Sequence, residues 1–67
     1  MSKLCRRIRY LRRRHAKITQ KQLADLLGVT RAAVCNWERG LNLPTAAHLP
    51  AIAKALGVSM ASLYGEA

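Results

Sequence analysis

The stretch TQKQLADLLGVTRAAVCNWERG, residues 19–40, constrains this chain most, because it holds two sets of helix start and stop signals with a turn between them. Thr19 is an N-cap, and Gln22 three residues later completes a capping box, so that each side chain serves a backbone N–H left without an intrahelical partner. Leu23, Ala24 and Leu27 recur at helical spacing and form one apolar face. Gly28 ends that helix, because glycine enters the left-handed conformation of a C-cap without steric cost. Val29 plugs the gap, Thr30 caps the next helix, Val34 and Trp37 form its buried face, and Gly40 stops it. The pattern predicts two short helices crossing at a tight turn.

The flanking segments carry further helix signals. Ser2 is a cap for a first helix predicted over 3–15, with Leu4, Ile8, Leu11 and His15 on one face. Ile18 is the apolar staple before the Thr19 cap. Thr45 follows Pro44 and is an N-cap for a helix over 46–56. Pro50 fits a start at 46 with a local irregularity, which is preferred, or a start at 49 or 50 as an ordinary first-turn proline. Leu49, Ile52, Ala53 and Leu56 form the core face of this helix, and Gly57 ends it. Val58 packs inward, Ser59 caps a last helix over 60–64, and Leu63 is its buried residue. No repeat, linker or low-complexity segment interrupts residues 1–67, so one domain is expected.

Composition narrows the function classes. The chain is 51% hydrophobic with no Phe, enough for a small core of Leu, Ile, Val, Ala and one Trp. No apolar run approaches membrane-spanning length, and the arginine-interrupted N-terminal segment does not resemble a signal peptide. Cys5 and Cys35 are expected as free thiols in a reducing cytoplasm, although their number would allow one disulfide. His15 and His48 stand apart from each other and from both cysteines, so no metal site and no cofactor is expected; His15 is read as a helix-end residue. An enzyme is not expected either, since no oxyanion or metal pattern accompanies a cysteine–histidine pair. The formal charge is +9, and only Asp25, Glu38 and Glu66 are acidic. A small domain this basic meets a polyanion, either nucleic acid or an anionic membrane surface.

The chain resembles the phage repressor and Cro family of helix-turn-helix proteins over nearly its whole length. The likeness rests on Thr19-Gln20, Leu23-Ala24, Leu27-Gly28-Val29-Thr30, Val34 and Trp37-Glu38-Arg39-Gly40. It continues through Leu49, Ile52-Ala53 and Ala55-Leu56-Gly57-Val58-Ser59. The resemblance implies a compact all-α, five-helix, lambda-repressor-like domain that places the helix at about 31–39 in the DNA major groove. It also implies an ion pair between Arg12 and Glu38 that braces the first helix against the third. The link Ala16-Lys17-Ile18 is one residue longer than in several relatives.

Because Val34 and Trp37 face the core, Arg31, Ala32, Cys35, Asn36 and Arg39 lie on or beside the outer face. The resemblance maps base-reading positions onto Arg31, Ala32, Cys35 and Asn36. Arg31 suits guanine O6 and N7, and Asn36 suits adenine N6 and N7 or a phosphate. Ala32 and Cys35 suit thymine methyl groups, or serve as small residues for close approach. Phosphate contacts are expected from Gln20, Lys21, Arg39 and Asn42, with the Arg12–Arg14 run a weaker candidate and the basic face of the first helix contributing as a group. Double-stranded DNA bound by a homodimer on a pseudo-palindromic operator is the expected partner. The implied dimer surface contains Leu41, Leu43, Met60 and Tyr64, with closure of the core the alternative role for Leu41 or Leu43. The reading is therefore a cytoplasmic transcriptional regulator, a repressor in the first instance. It suits a complete Cro-like protein or the N-terminal domain of a longer repressor. The rival readings are an antitoxin or protein-binding adaptor on the same fold, and a basic amphipathic protein acting on membranes.

Overall fold

In the computed structural model, which describes residues 3–65, five α-helices surround one apolar cluster. They are α1 (Lys3–Tyr10), α2 (Gln20–Leu27), α3 (Arg31–Arg39), α4 (His48–Leu56) and α5 (Met60–Leu63). A π-helical turn, Leu11–Ala16, continues α1. No strand occurs among the described residues. Helix α3 packs between α1 and α2, α4 crosses α2 and the π-turn, and α5 closes the far side against α1 and α4.

Local signals set most of the boundaries. Thr19 Oγ1 accepts from the Gln22 N–H at 3.0 Å, and Gln22 Oε1 accepts from the Thr19 N–H at 2.8 Å, completing the capping box. Thr30 caps α3 by accepting from the Ala33 N–H, and Ser59 caps α5 by accepting from the Ser62 N–H. Gly28 (φ 71°) and Gly40 (φ 77°) end α2 and α3 in the left-handed conformation. Each cap contributes about 1 kcal/mol. The side chains of Ile8, Leu23, Val34, Ile52, Leu56 and Leu63 are fully buried, and each such burial contributes about 1.5–3 kcal/mol. Packing therefore holds the helices together, and the caps set where they begin and end.

Three expectations are corrected. First, the buried face of the N-terminal helix keeps Ile8 and Leu11 and packs Leu4 against the core, but it is broader than expected and excludes His15. Cys5, Ile8, Leu11 and Arg12 are buried, whereas Leu4 is half-buried and His15 is exposed. The π-turn ends α1 at Tyr10, and within it Leu11 and Arg12 are buried while His15 is exposed. Second, the helix expected over 46–56 starts at His48, after a turn at 46 and 47. Thr45 does not cap it from the side chain of an N-cap position. Instead its carbonyl accepts from the His48 N–H at 2.9 Å, and its hydroxyl lies 3.0 Å from His48 Nδ1. This start places Pro50 third in the helix, where its missing N–H is one the first turn leaves unbonded anyway. Third, the alternative role for Leu41 or Leu43, closure of the core, is not taken up by either. They are 61% and 64% exposed, and Pro44 is the buried residue of that loop. The Ser2 cap lies outside the described residues, as does Glu66. Neither cysteine forms a disulfide.

Candidate nucleic-acid interface

The outer face of α3 follows from what its inner face buries. Val34, Trp37 and Glu38 are buried, so a helical repeat turns Arg31, Ala32 and Arg39 to solvent and leaves Cys35 and Asn36 half-buried beside them. The exposed N-terminal turn therefore presents one guanidinium and one small apolar residue, and the next turn adds a thiol and an amide. Gln20 and Lys21 open α2 next to this face. Asn42 is exposed past the end of α3, where the carbonyl of Asn36 accepts from the N–H of Leu41 at 2.9 Å and that of Asn42 at 3.4 Å.

Beneath the face lies a polar cluster with every partner supplied. Arg12 Nε donates to Glu38 Oε2 at 2.6 Å, and Arg12 Nη2 donates to Oε1 at 3.0 Å. The third nitrogen, Nη1, donates to the Ile18 carbonyl at 2.8 Å. Gln20 Nε2 donates to Glu38 Oε1 at 3.1 Å, and this turns its own carbonyl oxygen towards Arg31, whose Nη1 lies 3.5 Å away. Arg12 is 8% exposed and Glu38 is 2% exposed. Bidentate geometry and the two extra hydrogen bonds offset the desolvation of so deeply placed a pair. Among the described residues no buried side-chain nitrogen or oxygen lacks a partner.

The structure brings Gln20, Cys35 and Arg39 to the rim of one cleft of about 300 Å³, with the Arg12–Glu38 pair in its wall. Arg9 and Arg13 line the same cleft. The sequence places Arg13 in the Arg12–Arg14 phosphate candidates and Arg9 only in the basic face of the first helix. Their spacing of four residues, which puts two side chains on one helical face, is the signal that selects them. Lys21 is engaged with Asp25 at 3.1 Å across one turn of α2. That pair is well exposed and contributes little to stability. Leu41, Leu43, Met60 and Tyr64 are all exposed, and so is Leu26 on the outer side of α2. No group of three or more potential metal ligands occurs among the described residues, and no described helix is long and apolar enough to cross a membrane.

Residues 8–63 match the profile of the helix-turn-helix family. The chain belongs to this family, in its phage repressor and Cro branch. It is 45% identical over 53 residues to the HTH-type transcriptional regulator DicA of Escherichia coli K12. That match takes in 79% of this chain and only 38% of DicA, so the chain spans well under half the length of that regulator. Among solved structures, the P22 c2 repressor in complex with a synthetic operator superposes with a TM-score of 0.83 at 34% identity, covering 96% of each chain. The DNA-binding domain of the same repressor in solution gives 0.81 at 38% identity, covering 94% of this chain and 83% of that one. The restriction-modification controller protein C.AhdI of Aeromonas hydrophila gives 0.81 at 31% identity over 91% of each chain.

Proposed function

We propose that residues 1–67 act as one cytoplasmic DNA-binding domain that reads the major groove with α3 and represses transcription by occupying an operator. The observation that carries this reading is the division of α3 into a buried side, Val34, Trp37 and Glu38, and an outer side bearing Arg31, Ala32, Cys35 and Asn36 next to a cationic cleft. The likeness to a repressor bound to its operator supports it. In this reading Arg31 contacts guanine, Asn36 contacts adenine or a phosphate, and Ala32 and Cys35 pack on thymine methyl groups. Gln20, Lys21, Arg39 and Asn42 hold the phosphates on either side of α3, with the free N–H groups at the start of α2 assisting. A homodimer meeting through Leu41, Leu43, Met60 and Tyr64 would place two reading helices about one helical turn, ~34 Å, apart on a pseudo-palindrome.

Selection from a randomised duplex pool at about physiological salt tests the reading. The expected result is an enriched site with two-fold symmetry. On that site Arg31→Ala costs about 1–3 kcal/mol and relaxes one base preference. Salt-sensitive binding without an enriched sequence would overturn sequence-specific recognition, and a uniform loss across sequences would move Arg31 to the phosphate contacts.

A further inference from the structure

The first fourteen residues contain six arginines, and the fold sorts them into two kinds. Two work inside the protein. Arg12 pairs with Glu38, and Arg7 donates through Nε and Nη2 to the Ser62 carbonyl at 3.1 and 2.9 Å, tying α1 to α5. The other four, Arg6, Arg9, Arg13 and Arg14, are exposed and line a single hollow of about 330 Å³ on the outer side of α1 and the π-turn. Tyr10 stands among them, 56% exposed, with the Arg7 guanidinium 5.6 Å from its ring centroid.

Both described carboxylates are committed elsewhere, Asp25 to Lys21 and Glu38 to Arg12. The four guanidinium groups therefore repel one another with no carboxylate partner among the described residues. Such a hollow fits phosphate, because each guanidinium offers a planar fork of donors. Continuity selects the source of the phosphate. Arg9 and Arg13 line this hollow and also the cleft beside Cys35 and Arg39 of α3. Arg9 and Arg13 thus join the two, so a polyanion seated at α3 can run on over them into the hollow, and the one carboxylate in the cleft, Glu38, is paired with Arg12.

We infer that this hollow is a second phosphate-binding surface, which takes the DNA backbone just outside the bases read by α3. The inference rests on the proposed DNA-binding reading and extends the contact from the reading helix to α1 and the π-turn. It adds salt-dependent affinity and no base preference.

The test compares the wild-type chain with R6Q/R14Q on two duplexes, the selected site alone and the same site with added flanking base pairs, between 50 and 200 mM salt. A random-sequence duplex of the longer length is measured in parallel. Flanks are expected to tighten wild-type binding and to leave R6Q/R14Q unchanged. The salt slope of the variant should fall by about 1.8 per bound protomer if two phosphates are lost. The ratio of affinities at the two salt concentrations then falls roughly twelvefold. R6K/R14K, which keeps the charge, should keep most of the slope, and circular dichroism melting reports whether either variant is unfolded. An unchanged slope in a folded R6Q/R14Q, or equal gain from the flanks in both proteins, overturns the inference. So does loss of binding to phosphatidylserine vesicles with no change on DNA, which would assign the hollow to lipid. The two readings fail separately. A chain that selects no site yet loses slope on the random duplex sinks operator recognition and keeps the phosphate surface. A selected site with an unchanged slope does the reverse.

Discussion

All three guanidinium nitrogens of Arg12 donate within the protein, two to Glu38 and one to the Ile18 carbonyl. The residue therefore joins the π-turn, the link before α2 and α3 through one planar group. Removing the charge on one side leaves the other buried without a counter-charge, which is the costly way to break such a pair. Glu38→Gln is accordingly expected to cost roughly 2–4 kcal/mol, a fall in Tm on the order of 10–20 °C for a domain of this size. Thermal melting of the two proteins checks this, and equal melting temperatures would show that Arg12 does not brace the helices. The pair was foreseen from family resemblance. The bond from Gln20 to Glu38, which connects the brace to the reading face at Arg31, was not. An amide eighteen positions away carries no sequence signal for which carboxylate it will meet.

Among the elements, the π-turn is the one without a local signature. Helices α2, α3 and α5 begin at Thr19, Thr30 and Ser59, residues whose side chains reach the first-turn N–H groups, so their limits could be read from the chain. The continuation of α1 could not. The turn is wide over Leu11–Ala16, and the chain leaves through Lys17 at φ 56°. The carbonyl of Arg12 accepts from the N–H of Lys17 and, at 3.1 Å, from that of Ile18, which closes the turn. The wide turn leaves Ile8 fully buried and Ile18 packed against the core. The left-handed conformation costs a non-glycine residue about 1–2 kcal/mol. Lys17→Gly is therefore expected to stabilise the protein by roughly 0.5–1 kcal/mol, net of the greater unfolded-state freedom of glycine. Denaturant unfolding measures it, and destabilisation would mean that the lysine side chain holds the turn. For α4, the expected start was displaced by two residues because Thr45 turns the chain through its carbonyl and His48 contact instead of capping the helix.

At the scale of the whole molecule, the radius of gyration is 10.3 Å, close to the roughly 11 Å expected for a packed chain of this length. The core is complete without Leu41, Leu43, Met60 and Tyr64, all of which stay exposed. Exposed apolar groups that closure of the core does not require are available to a second copy. L41S/L43S is expected to leave unfolding within about 0.5 kcal/mol of wild type while weakening self-association on DNA by tenfold or more. Cooperativity of binding to the selected site measures the second effect. Undiminished cooperativity would move the dimer surface away from this loop.

Local pattern is enough for the two central helices, their caps, the identity of most core residues and the placement of Arg31, Ala32, Cys35 and Asn36 on or beside the outer face of α3. These depend on hydrogen bonds and side-chain periodicity within a few residues, which are legible in one dimension. Tertiary contacts were needed for the π-turn, the link from Gln20 to Glu38 and the inward turn of Arg7 away from the four external arginines. In a run of like side chains local pattern is uniform. Whether a given guanidinium turns inward depends on which carboxylate or carbonyl the fold carries to it, and for Arg7 that partner lies at Ser62, at the opposite end of the chain.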